Sequence, residues 1–167
     1  MKKIFLLGLF VGCLNAQSYF GKVVKVTDGD TINVQTQNEL LKVRILFIDT
    51  PEKYGGSKME KDSTATKTSQ KEMSGLGALA SNYARSFFPI GSNVEVLAYK
   101  KDRYGRTLGV VVKDGVNYSY QIVKDGYSCI YKKEGYPMQL ENLLDRAKQL
   151  RVGLWGKNFR AMEALCY

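Results

Sequence analysis

Apolar residues in this chain recur in extended runs of six to nine residues, and each run stops at a turn signal before it reaches helical length. Tyr19 to Val26 alternates loosely and halts at Thr27-Asp28-Gly29. Thr31 to Thr36 puts Ile32 and Val34 on one face, and after the polar Gln37-Asn38-Glu39 the run Leu40 to Ile48 is apolar almost throughout. Pro51 has no N–H to offer a ladder and ends that third strand. Val94 to Tyr99 and Thr107 to Val112 read as two more strands, flanking a charged loop over 100–106. Between the third and fourth strands, Leu79, Tyr83 and Phe87 recur every fourth residue, which predicts a helix from about Leu76 to Phe88. Residues 53–74 are rich in Lys, Ser, Thr and Gly and predict a long mobile loop. Further on come a short helix over Tyr118 to Asp125, a short strand over Ser128 to Tyr131, and a helix from Pro137 to about Leu150 with Leu140, Leu143, Leu144 and Ala147 as its stripe. The pattern predicts an α+β fold, mainly β: a five-stranded Greek-key barrel with about three helices packed outside.

With 167 residues, 44% of them hydrophobic, the chain can build one core but not two, and a single domain is expected over 18–160. Met1-Lys2-Lys3, the apolar run Ile4 to Gly12 and the small Ala16 make an export signal over residues 1–16. That run is far shorter than the ~20 residues needed to cross a bilayer. Phe10-Val11-Gly12-Cys13 partly resembles a lipoprotein processing site, so acylation of Cys13, and a membrane tether with it, stands as the alternative. The product is expected outside the cytoplasm: secreted, periplasmic, or lipid-anchored at a surface. Removing Lys2 and Lys3 from a formal charge of +9 leaves +7 on the folded part, a field that favours polyanions. Cys129 and Cys166 are then the two cysteines left besides Cys13, either joined as a disulfide or present as two partly buried thiols.

Absences narrow the chemistry. The chain has no histidine, which excludes a serine or cysteine hydrolase with an imidazole base and a His-ligated zinc site. It also lacks a Cys-x-x-Cys pair, a P-loop and a dinucleotide glycine fingerprint. Catalysis would have to run on carboxylates, Arg, Lys, Tyr and a hard, oxygen-seeking cation.

Two places carry such groups. A hairpin of the second and third strands turning near Asn38 and Glu39 sets Asp30 across from Phe47 to Ile48, beside Asp49. Two carboxylates at one hairpin end repel unless a cation lies between them or one takes a proton; the bland reading is a pair of ordinary turn acids. Arg44 stands among apolar neighbours in Val43-Arg44-Ile45-Leu46-Phe47-Ile48, where an unpaired guanidinium is costly. It is either half of a structural ion pair, with Glu52 as the candidate partner, or a fork aimed at a phosphate.

Asp28-Gly29-Asp30-Thr31, the run from Val43 through Asp49-Thr50-Pro51-Glu52, and Asp102-Arg103-Tyr104-Gly105-Arg106 together resemble the three signature segments of the thermonuclease (staphylococcal nuclease) family, and the closing Gly153-Leu154-Trp155 fits as well. The resemblance spans roughly Tyr19 to Lys157. It implies an OB-fold barrel and a Ca2+-dependent phosphodiesterase acting on DNA and RNA with little sequence specificity, as a monomer, with 3′-phosphate products. Residue by residue it implies Asp30, Asp49 and the Thr50 carbonyl as calcium ligands, Arg44 and Arg106 on the scissile phosphate, and Glu52 as the base or orienter of the attacking water. Arg103 and Tyr104 are candidate substrate contacts. Tyr131 and Tyr136 are candidates for phosphate or base contact, with core or surface packing as the other reading. A competing reading is a non-catalytic OB-fold module that holds nucleic acid without cutting; it has no need of Asp30, Asp49, Glu52, Arg44 and Arg106 together. A surface adhesin would require acylated Cys13.

Overall fold

A computed structural model describes residues 16–133 and 135–167; the expected export signal and Cys13 lie outside the described residues. In chain order the strands are β1 (Gln17–Val26), β2 (Thr31–Thr36), β3 (Leu40–Ile45), β4 (Ile48–Asp49), β5 (Asn93–Lys101), β6 (Thr107–Lys113), β7 (Val116–Asn117) and β8 (Cys129–Ile130). The helices are α1 (Ser57–Thr66), α2 (Gln70–Phe87), α3 (Tyr118–Lys124), α4 (Gln139–Leu150), α5 (Leu154–Lys157) and α6 (Phe159–Cys166).

Five strands close into a barrel. The order β3-β2-β1-β5-β6 is antiparallel throughout, and β6 then pairs with β3 in parallel, Leu108 opposite Arg44. Alternation along the strands delivers Ile32, Val34, Leu41, Val43, Val94 and Val96 to the interior. Register shifts between Val23 and Lys25 and between Ala98 and Lys100 bend β1 and β5, the curvature that closure of so small a barrel demands. Outside it, α2 begins at Ser69, whose hydroxyl accepts from the Glu72 amide at 3.2 Å, and lays Leu76, Ala80 and Ala84 on the core. Tyr118 opens α3, packs between Phe87 and Phe88, and donates its hydroxyl to the Gly29 carbonyl at 2.8 Å. The interior thus holds the turn that carries Asp28 and Asp30.

Several sequence expectations need correction. The third strand does not run to Ile48: it breaks after Ile45, and a turn at Leu46 and Phe47, with Phe47 at φ 70°, starts β4 in a new direction. Apolarity continues through that turn because both sides of it are buried, so composition alone could not mark the break. The hairpin register is also shorter than the turn at Asn38 and Glu39 suggested, with Thr31 opposite Arg44 and the Ile45 amide donating to the Asp30 carbonyl at 2.8 Å. Residues 53–74 are not one long loop. They form α1 and the first turn of α2, and α1 escaped notice because only Met59 and Thr66 of it are buried, too few for a periodic stripe. More helices than about three surround the barrel, and α6 lies mostly beyond the expected boundary at residue 160. Cys166 at its end forms a disulfide with Cys129 (Cα–Cα 5.0 Å), which settles the choice left open above.

Candidate active site

The site begins at Asp30, buried at the head of β2. Its Oδ2 accepts from both the amide and the hydroxyl of Thr50 at 3.0 Å, and its Oδ1 accepts from Thr31 Oγ1 at 3.1 Å. Gly29 makes this possible, since a Cβ there would lie 2.6 Å from Thr50 Cγ2. Asp28 Oδ1 accepts the Asp30 amide at 3.1 Å, closing the turn.

Arg44 supplies the second half. From β3 its Nη1 donates to the carbonyls of Ile45 and Ile48, both at 2.9 Å, and so spans the Leu46-Phe47 turn from within. Nη1 also lies 3.4 Å from Asp30 Oδ1, and Nη2 donates to Asp49 Oδ1 at 3.2 Å. The guanidinium is therefore structural and central to the site at once, and its carboxylate partners are Asp30 and Asp49 rather than Glu52. The turn is held from outside as well: Tyr131 N–H donates to the Phe47 carbonyl at 2.9 Å and Ser119 Oγ to that of Leu46 at 2.9 Å. A bulky residue at positive φ persists only where surroundings over-determine it, as they do here. Because β4 doubles back along β8, Asp49 returns to Asp30 despite the shorter hairpin register.

Glu52 is set by a close helix approach. A Cβ on Gly77 of α2 would sit 2.5 Å from the Glu52 carbonyl, and Ser74 Oγ donates to the Lys53 carbonyl at 2.7 Å. The Glu52 carboxylate meets Lys58 of α1, Nζ to Oε1 2.9 Å. The same ammonium lies 3.2 Å from Asp49 Oδ1, 3.4 Å from the Thr50 carbonyl oxygen and 3.9 Å from Asp62 Oδ2. Neither Lys58 nor Asp62 was found from the sequence, where each is one polar residue in a polar stretch with no local mark.

Arg106 precedes β6 and stands two residues before Leu108, the ladder partner of Arg44, so both arginines belong to one face and line one cleft. Its Nε donates to Asp102 Oδ2 at 2.7 Å, and its own amide to Asp102 Oδ1 at 2.9 Å. Tyr104, 68% exposed, has the Arg103 and Arg106 guanidiniums 4.8 and 5.6 Å from its ring centre. Tyr131 also lines the cleft, its ring 5.9 Å from Arg44 Cζ. Tyr136 does not reach the cleft lining: its hydroxyl donates to Glu141 Oε1 at 2.6 Å, at the start of α4. The cleft is open, about 1210 Å3, larger than pockets that enclose a small ligand, and Lys100, Lys101, Lys132 and Lys133 add positive charge to its walls.

Charge states follow from these contacts. Burial pushes the Asp30 carboxyl up, but Arg44 and the Thr50 amide outweigh it and hold Asp30 below the usual range. Burial raises Asp49, with Lys58 opposing. Burial and then the neighbouring Asp30 charge push Asp28 to about 7. Burial works against the Lys58 ammonium, yet Asp49 and Glu52 hold its pKa above the ordinary value.

Among the described residues no three Asp, Glu, Cys or His side chains could hold a metal by themselves. The oxygen set nonetheless suits a hard cation, because Lys58 already serves as a stand-in ion: oxygens of Asp49, Thr50 and Glu52 surround one positive charge, with Asp30 tied to the same Thr50. Carboxylates plus a main-chain carbonyl are calcium-type donors.

Comparison with known proteins gives a consistent placement. The family model described as staphylococcal nuclease homologue matches residues 42–157. A protein named uncharacterized endonuclease from Escherichia coli is 33% identical over 139 residues, 81% of this chain and 76% of its own. The micrococcal nuclease of Shigella flexneri is 29% identical over 149 residues, 81% of this chain and 72% of its own. The thermonuclease of Staphylococcus hyicus is 28% identical over 151 residues, 86% of this chain and 80% of its own. A match over more than half the chain, enclosing the parallel β3–β6 closure and both arginines of the cleft, makes this chain a member of the staphylococcal nuclease family.

Proposed function

We propose that this protein is an exported, calcium-dependent nuclease that hydrolyses phosphodiester bonds of DNA and RNA with little sequence preference and leaves 3′-phosphate ends. The observation that carries the reading is the convergence of Asp30, Asp49, the Thr50 carbonyl and Glu52 on one cleft with Arg44 and Arg106. Relatives named endonuclease, micrococcal nuclease and thermonuclease support the same class. Asp30, Asp49 and the Thr50 carbonyl would hold the ion, which when bound supplies positive charge beside the phosphate oxygens and a more acidic water. Arg44 and Arg106 suit two non-bridging oxygens, and donors fixed in advance stabilise the charge that grows there on the way to the transition state. Glu52 would orient the attacking water or take its proton. Tyr104 and Tyr131 offer ring faces on which any base can stack, consistent with indifference to sequence.

Export is supported by the pattern of residues 1–16 and by the Cys129–Cys166 disulfide, a bond suited to an oxidising compartment. A binding module that does not cut is the weaker reading, since carboxylates facing a phosphate oppose binding when no cation is present. Digestion of plasmid DNA and of RNA with Ca2+ or with excess chelator, followed by end-group analysis of the products, tests the proposal. Binding without cleavage at any Ca2+ concentration would leave the binding module in its place. Fractionation of the producing cells tests export.

A further inference from the structure

We propose that Lys58 is the resident cation of the metal site, and that a divalent ion binds only by displacing its ammonium. The inference rests on the metal-dependent reading above and extends it to a residue of α1 that the family signature segments do not include. Lys58 Nζ makes contacts that a surface ion pair would not need. It touches a carboxylate from the end of β4, a main-chain carbonyl from Thr50 and a second carboxylate from Glu52, at 3.2, 3.4 and 2.9 Å. These include two of the three oxygen sources proposed for the ion. An ammonium and a divalent ion cannot share that cage, because like charges a few ångströms apart in a partly buried site repel strongly.

The exchange has a path. The Lys58 side chain is 43% exposed, so its flexible stem can swing into water without crossing the core. Asp62 lies one turn further along α1, with Oδ2 3.9 Å from Nζ, and can keep the displaced ammonium close by. Without a metal, Lys58 neutralises repulsion among Asp49, Glu52 and the nearby Asp30; with one, its work passes to the ion. Metal affinity is thereby set lower than the oxygens alone would give, so the site loads only where the free divalent concentration is high.

Calcium titration calorimetry on the chelator-stripped protein tests this with Lys58→Met, which keeps the stem and removes the charge. The expected result is a Kd at least about fivefold tighter, the lower end of ordinary coupling between two ligands. The stripped variant should also melt below the stripped parent, the gap closing at saturating Ca2+. Lys61→Met, the neighbouring lysine on the same cleft wall, should leave Kd within about twofold; an equal tightening there would mean general charge and overturn the exchange. An unchanged or weaker Kd in Lys58→Met would also overturn it, whereas no calcium binding by either protein would instead overturn the metal reading beneath it. Acylation footprinting of the unmodified protein needs no variant: Lys58 should react faster with Ca2+ than with chelator, and equal or slower reaction refutes displacement.

Discussion

Arg44→Ala and Arg106→Ala should both abolish efficient cleavage, yet only the first should damage the fold. Arg44 has a side chain only 15% exposed, donates to two main-chain carbonyls that hold the Leu46-Phe47 turn, and neutralises Asp30 and Asp49. Truncating it leaves a buried carboxylate without its partner, a loss of about 3–5 kcal/mol for pairs of this kind. For a chain of this size that corresponds to roughly 6–20 °C in Tm, at about 2–4 °C per kcal/mol. Arg106 lies on the loop between β5 and β6 and its side chain bonds Asp102, whose carboxylate keeps the Tyr104 and Arg106 amides, so its loss should cost only about 1 kcal/mol. Each loss of a phosphate-facing donor is expected to cost about 10²–10³ in rate. Thermal melts by circular dichroism in chelator, alongside single-turnover cleavage of a labelled oligonucleotide, separate the two effects. Equal Tm values for the two variants would refute the assignment of Arg44 to the turn, and full activity in Arg106→Ala would remove it from the phosphate.

Other outcomes follow from particular contacts. Asp28 has its pKa raised from 3.8 to about 7 in the folded state, so folding retains a proton there. The metal-free protein should lose stability as pH rises through that window, and Asp28→Asn should flatten the profile; parallel urea-denaturation profiles for the two proteins would contradict this. Cys129 and Cys166 close a loop of 37 residues, so replacing both by Ala should cost about 3–4 kcal/mol in chain entropy. Because Cys129 lies opposite Asp49 in the β4–β8 ladder, calcium affinity should weaken too, readable by calorimetry. Gly77→Ala drives a methyl group into the Glu52 backbone and should lower kcat while costing about 1–3 kcal/mol, and normal turnover would show that Glu52 needs no such seat. Such binding of an uncut oligonucleotide as persists in chelator should weaken steeply with added salt, and a flat response would argue against phosphate contacts.

How far the sequence alone reached depended on whether a feature was local. The period-two runs and the stripe of Leu79, Tyr83 and Phe87 were readable, because each rests on spacing along one element. Arg44 stood out among its apolar neighbours, but its partners did not: Glu52 was the candidate, and the contacts run to Asp30 and Asp49 on other elements. The break after Ile45 was not readable, since Leu46 and Phe47 are as apolar as their neighbours, and the turn is held by groups on other elements, the Ser119 and Tyr131 donors that grip its carbonyls. Helix α1 was not readable either: with almost no apolar stripe, it is specified by what it packs against rather than by its own pattern. The place of Lys58 among oxygens from Asp49, Thr50 and Glu52 depends on that helix lying over a turn of another strand. Spacing in the chain therefore determined which groups could do chemistry, and tertiary packing alone decided which cation they surround, because a charge finds its partners through space and not along the backbone.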